Sequence, residues 1–209
     1  MEGRGMGMFD AAIDYFVRGG VCMWPLLLCS VSVVAIGVER FLYFQRSMCG
    51  DAFARDFCGR LYAGDDAGAA GLAEKRMGQA ANLAKRFLPV RGDAAEVENQ
   101  IYTETDRTVD AWERWLDGLQ VIIGLSPMLG LLGTITGMMA SFDALDERLE
   151  NPMAVTAGIG EALITTVFGL VISMMGMCIY AYLSGRIKAE SRNMDEVANA
   201  LVLHASIKK

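Results

Sequence analysis

The chain has 209 residues, 53 % hydrophobic and 21 % charged, with a formal net charge of −6. A disordered chain, a disulfide-built secreted scaffold and a nucleic-acid binder are all poor readings of these figures. Residues 19–38, 118–142 and 162–185 carry no charge. Each stretch has the roughly 20 residues that a helix needs to cross about 30 Å of hydrocarbon, which argues against an ordinary soluble domain.

The first segment, residues 1–20, places Phe9, Ile13, Phe16 and Val17 at helical spacing, an amphipathic stripe suited to a membrane interface. Glu2, Arg4, Asp10, Asp14 and Arg18 make it too long and too acidic for a signal peptide, so the apolar run behind it stays as an anchor. The first span covers 21–45. Pro25 fits its first turn, where a missing N–H costs least, and Tyr43 suits the interface near its end.

The polar region, 46–117, holds 10 Lys/Arg and 13 Asp/Glu. Asp51 to Leu61 reads as a helix. Gly64, Asp65, Asp66 and Gly68 mark a turn or a weak helix start. A second helical stretch covers 69–88, and Pro89 and Gly92 separate it from a third over 94–117. In the third, Val97, Ile101, Thr105, Thr108, Trp112, Trp115 and Leu119 recur at three- or four-residue steps, and it continues unbroken into the second span, 118–142. A short connection, 143–157, leads to the third span, 158–184, and then to a C-terminal helix or tail, 185–209. The expected fold is all-α: a polytopic membrane protein with three transmembrane helices and extended cytoplasmic helices.

Orientation follows from basic residues close to the spans. Arg46 follows the first, Arg107 and Arg114 precede the second, and Arg186 and Lys188 follow the third, whereas 143–157 contains Arg148 alone. The positive-inside rule places 46–117 and the tail in the cytoplasm, and the N-terminus and 143–157 outside. Three spans require these two sets to lie on opposite sides, and they do.

Cys22, Cys29 and Cys178 sit in the apolar stretches and read as small hydrophobes; Cys49 and Cys58 complete the set, with no CxxC pair. His204, the one histidine, reads as a solvated surface residue. It leaves no basis for a His-based metal cluster. No nucleophile–base pair or cofactor motif suggests an enzyme; Gly130–Thr134 lacks the lysine of a phosphate loop.

The chemistry lies in the second and third spans. At about 100° per residue, Ser126, Gly130, Gly133, Thr134, Gly137 and Ser141 share one side of the second. Glu161, Thr165, Thr166, Gly169, Ser173, Gly176 and Tyr180 share one arc of the third. Such strips let helix backbones approach closely. They also offer hydroxyls that donate and accept hydrogen bonds; such groups either line a hydrated path or merely bond their own helix backbone. Glu161 has two readings: an interfacial carboxylate about one turn into its helix, favoured by the dipole, or an ionisable group on a proton path. Thr136 falls off the strip.

The runs Ser126-Pro-Met-Leu-Gly-Leu-Leu-Gly-Thr-Ile-Thr-Gly-Met-Met-Ala-Ser-Phe142 and Ala157-Gly-Ile-Gly-Glu-Ala-Leu-Ile-Thr-Thr-Val-Phe-Gly-Leu170 resemble the MotA/TolQ/ExbB proton-channel family, on its ExbB and TolQ side. The resemblance extends through Val38-Glu39-Arg40 and the three-span layout. It implies a pentamer of such subunits in the bacterial inner membrane, around the membrane helices of an ExbD- or TolR-like dimer. Proton flow through that assembly would drive a TonB- or TolA-like periplasm-spanning protein. It also implies a proton pathway through Thr134, Glu161 and Thr166, with the proton-carrying aspartate on the partner. Pro127 matches the family's proline at the start of the second span. Thr165, Gly130, Gly137, Ser141, Gly169 and Ser173 fall to second-tier or pore-packing positions. Periodicity alone ranks Thr165 beside Glu161; the resemblance favours Thr166. Gly158 and Gly160 stand where the family often has proline and alanine. The same small-residue strips would also serve a non-conducting structural scaffold.

Overall fold

A computed structural model describes residues 20–90, 93–147 and 152–207; segment 1–19 lies outside them. Among the described residues the protein is all-α, with six helices: α1 Met23–Ser47, α2 Asp51–Tyr62, α3 Asp66–Lys75, α4 Gln79–Phe87, α5 Ala94–Glu147 and α6 Pro152–Ile207. α1, α5 and α6 are long and apolar enough to cross a membrane. The described residues form two compact units, and each of these three helices contributes to both.

One unit contains α1 up to Ile36 together with Gly118–Tyr180. Its core is Met23, Leu26, Val33, Leu119, Ile123 and Ile172, flanked by Ile36, Ile122, Leu129 and Ile179. The outer surface is equally apolar: Leu28, Val31, Met128, Leu131, Leu163, Val167 and Met174 are each more than half exposed. Apolar residues inside and out suit a helix bundle in hydrocarbon, where every backbone group must be satisfied within its own helix. Pro25 sits in the first turn of α1, where it displaces no helical hydrogen bond.

The other unit contains Gly37–Asp117 and the chain from Ala181 onward. It follows soluble-protein rules. Phe53, Phe57, Leu61, Ile101, Trp112, Leu183, Ile187, Met194, Val197 and Leu201 are buried, and charged residues cover the outside. α2 ends in a Schellman motif. Gly64, at φ 78°, donates to Leu61 O at 3.1 Å, and Asp65 N donates to Arg60 O at 3.0 Å. Asp65 then caps α3, its Oδ1 accepting from Gly68 N at 2.9 Å. Buried alanines at 69, 73, 80, 81 and 84 pack the short helices α3 and α4 tightly.

Glu190 of α6 clamps the start of α2. Its buried carboxylate accepts from Cys49 N at 2.7 Å, Gly50 N at 3.3 Å and Asn193 Nδ2 at 3.2 Å, while Asn193 also donates to Asp51 Oδ1 at 2.9 Å. Arg40 is buried with its guanidinium over the rings of Tyr43 and Trp115, at 5.3 and 5.0 Å. The planar cation tolerates burial by stacking where a lysine would not.

Several expectations change. The stretch 69–88 is two helices, because Arg76 turns the chain to an extended conformation and Gly78 takes φ 146°. Helix occupies 143–147 and 152–157, where the sequence suggested a connection. Pro152 opens α6 as the favoured first helical residue, so Glu161 lies well beyond the first turn rather than one turn in. The helix dipole acts within that first turn, so it no longer accounts for Glu161. His204 is not solvated. Its side chain is 10 % exposed and its Nε2 lies 3.0 Å from Asp66 Oδ1.

Candidate functional site: the small-residue seam of α5 and α6

Antiparallel α5 and α6 meet along a seam of small residues within the apolar unit. A Cβ on Gly169 would lie 2.5 Å from Ser126 O and 3.2 Å from Gly130 Cα. A Cβ on Gly130 would lie 2.9 Å from both Thr165 O and Thr166 Cα, and one on Gly133 would overlap the Thr165 side chain. A Cβ on Gly137 would come within 2.7 Å of Ala162 Cβ. Facing backbone excludes a Cβ at Gly130 and Gly169, and the facing side chains of Thr165 and Ala162 exclude one at Gly133 and Gly137; none of the four is required by its own conformation.

Close approach permits hydroxyl-to-carbonyl bonding across the seam. Thr166 Oγ1 donates to Gly130 O at 3.0 Å. Thr165, fully buried, directs its hydroxyl to Ala162 O at 2.7 Å and Gly130 O at 3.2 Å. Thr134 is also buried but bonds within its own helix, to Leu131 O at 2.7 Å. Ser141 likewise bonds Gly137 O at 2.9 Å. Both seam threonines therefore converge on one carbonyl, Gly130 O, while Thr134 is not hydrogen-bonded to either. Thr136 is exposed and bonds backward along α5.

Ser173 has a partner that sequence reasoning missed. Pro127 lies inside α5 and has no N–H, so Ile123 O loses its helical donor four residues on. Ser173 Oγ of α6 supplies the replacement at 2.9 Å. An internal proline paired with a serine on the facing strip is the signal that would have located this bond.

Glu161 immediately precedes Ala162, which sets its backbone at the level of Gly137; its side chain lies outside the described residues. The seam hydroxyls have a common chemical state. Each has committed its single proton to a backbone carbonyl, so each presents only oxygen lone pairs to its surroundings. Oxygens so oriented accept hydrogen bonds from a protonated group; they do not compete for its charge. Among the described residues there is no cluster of His, Cys, Asp and Glu able to hold a metal ion.

Residues 71–196 match the MotA/TolQ/ExbB proton channel family. The chain is 32 % identical over 200 residues to the putative biopolymer transport protein ExbB-like 1 of Synechocystis, covering 89 % of this chain and 74 % of that protein. It is 30 % identical to the biopolymer transport protein ExbB of Salmonella typhimurium, with coverage of 90 % and 77 %. It is 29 % identical to the Tol-Pal system protein TolQ of Haemophilus influenzae, with coverage of 85 % and 86 %. The chain belongs to the MotA/TolQ/ExbB proton channel family, and its role is the non-enzymatic, proton-motive-force-linked one of that family in energy transduction at a membrane.

Proposed function

We propose that this chain is the channel-forming stator subunit of a proton-driven motor in a bacterial inner membrane. Five copies surround the membrane helices of an ExbD/TolR-like dimer. The motion is passed to a TonB/TolA-like protein that spans the periplasm. The N-terminus and the α5–α6 connection face the periplasm; the polar unit and the C-terminus face the cytoplasm.

The observation that carries this reading is the buried or half-buried row of hydroxyls whose protons are all committed to carbonyls. Thr134 and Thr166 present acceptor oxygens to a carboxyl group carried by the partner dimer. They stabilise its protonated form as the proton crosses. Thr165 holds the seam behind them by its bifurcated bond to Ala162 O and Gly130 O. Glu161 sets the electrostatics of proton access near the outer end. Gly130, Gly137, Gly169, Ser141 and Ser173 keep the helices close enough for the row to exist, and Pro127 frees the carbonyl that Ser173 takes.

Proton flux into vesicles holding the chain with its single-span partner tests the reading. Thr134→Val combined with Thr166→Val should preserve assembly and abolish flux, while Thr166→Ser should retain it. Intact flux in the double valine variant refutes the pathway. Gradient-independent function without flux would instead favour the scaffold reading, which the tight glycine seam alone would also serve. Native mass measurement of the co-purified complex checks the stoichiometry.

A further inference from the structure

A second polar feature lies away from the seam, inside the unit built from Gly37–Asp117 and the C-terminal helix. A cleft of about 1010 Å³ is lined by Leu42, Tyr43, Gln45, Arg46, Ser47, Met48, Arg76, Met77, Gly78, Gln79, Asn82 and Lys85. Its described lining contains three cations and no carboxylate. Among the described residues, Arg46, Arg76 and Lys85 make no ion pair. Lys85 Nζ donates one hydrogen bond to the backbone carbonyl of Arg76 at 3.1 Å, which leaves further N–H groups unused. Lys85 also borders a neighbouring cleft that holds Asp66 and Glu74. The carboxylate of Glu190 is already engaged by Cys49 N, Gly50 N and Asn193. Ser47, 8 % exposed, has an Oγ with no hydrogen-bond partner. Gln45, Gln79 and Asn82 add neutral donors.

The apolar part of the cleft identifies the kind of anion. Leu42 and Tyr43 belong to the last turns of α1, just beyond the charge-free stretch that ends at Val38. Val38, Phe41 and Leu42 are exposed at three- and four-residue spacing and form an apolar stripe leading to Gln45 at the cleft. An occupant with a phosphate in the basic basket and a hydrocarbon tail along this stripe satisfies both halves. A free anion uses only the first.

We propose that this cleft binds the phosphate of an anionic phospholipid from the leaflet on the polar unit's side, with its acyl chain lying along the exposed face of α1. The lipid ties the end of α1 to the α3–α4 turn through Arg46 on one side and Arg76 and Lys85 on the other. A basic residue near a membrane surface strengthens binding of an anionic lipid about fivefold, so three together amount to a preference on the order of 100-fold over a zwitterionic lipid.

The test uses the full chain in nanodiscs or mixed micelles containing phosphatidylglycerol and phosphatidylcholine, with native mass spectrometry reading retained lipid. The wild type should retain phosphatidylglycerol selectively. Arg46→Gln/Arg76→Gln/Lys85→Gln should lose that selectivity by on the order of 100-fold. Arg55→Gln/Arg107→Gln/Arg192→Gln, which removes the same charge elsewhere on the exposed surface, should keep it. Circular dichroism confirms that each variant is folded; if the triple variant unfolds, the single variants Arg46→Gln and Arg76→Gln are read instead, each with a loss of about fivefold. A parallel titration with inorganic phosphate distinguishes the source. Phosphate that displaces the lipid at millimolar concentration, or binds equally well, overturns the lipid assignment in favour of a soluble phosphate. Equal retention by the cleft and control variants overturns the site altogether. Neither outcome depends on proton flux through the seam.

Discussion

Replacing Gly169 by alanine tests whether backbone approach holds the seam together. The new Cβ would lie 2.5 Å from Ser126 O, and an ordinary carbon–oxygen contact is about 3.3 Å. Backbone on both sides of the contact cannot swing away, so α5 and α6 must separate locally by about 0.8 Å. That separation would take the bonds Thr166 Oγ1 to Gly130 O, now 3.0 Å, and Ser173 Oγ to Ile123 O, now 2.9 Å, out of hydrogen-bonding range. Each interhelical bond in a membrane protein is worth about 0.6 kcal/mol, and overpacking a tight contact costs about 1–3 kcal/mol. Alanine's better helix propensity returns up to about 1 kcal/mol, which leaves a net loss of about 2 kcal/mol. Gly124 is the internal control, because a Cβ there meets nothing within 4 Å. Unfolding in mixed micelles of rising dodecyl sulfate content, followed by circular dichroism, should show Gly169→Ala destabilised and Gly124→Ala unchanged or improved. If Gly169→Ala is as stable as Gly124→Ala, the seam does not hold the helices by close approach.

The Pro127–Ser173 pair is suited to a double-mutant cycle. Ser173→Ala should cost about 0.6 kcal/mol, the worth of that interhelical bond to Ile123 O, and the cost should shrink in a Pro127→Ala background, where residue 127 regains its N–H; additive losses would show that the bond is incidental. Glu190→Ala removes the acceptor for Cys49 N, Gly50 N and Asn193, and should lower stability by about 3 kcal/mol in the same unfolding assay, with the α2 amides exchanging faster. Burial raises the Cys58 thiol to about 11, and that thiol donates to Glu196 O. The folded protein thus holds this proton more tightly than the unfolded chain, whose thiol titrates near 9. The resulting stability is fully present below pH 9 and falls as pH rises toward 11. Cys58→Ala should flatten that part of the stability–pH curve, and unchanged curvature would exclude Cys58 as its source.

Composition and periodicity made the apolar half of the molecule legible. Three charge-free runs specify three spans because hydrocarbon admits few alternatives to a helix. The strip from Ser126 to Ser141 could be drawn on a helical wheel because seam packing selects small residues at one angular position. The polar unit was harder to read. The break at Arg76–Gly78 was missed because Ala69–Leu88 has good helix formers on both sides, and the turn depends on one glycine at a conformation that an L-residue rarely adopts. His204 looked solvated because its partner, Asp66, is 138 residues away in sequence.

The sequence by itself determined the class, the number of spans, the helix continuing from the polar region into the second span, and the small-residue faces. These are local or periodic properties, set by transfer of side chains into hydrocarbon and by the 3.6-residue turn. Only the tertiary structure decided which atoms meet. It directed Thr165 and Thr166 to the same Gly130 carbonyl while Thr134 bonds its own helix. It supplied Ser173 to the carbonyl that Pro127 leaves without a donor, and it gathered Arg46, Arg76 and Lys85 around one cleft. Hydrogen bonds and charge clusters form between residues far apart in the chain, and their geometry is set by ångström-scale helix approach that no periodicity encodes.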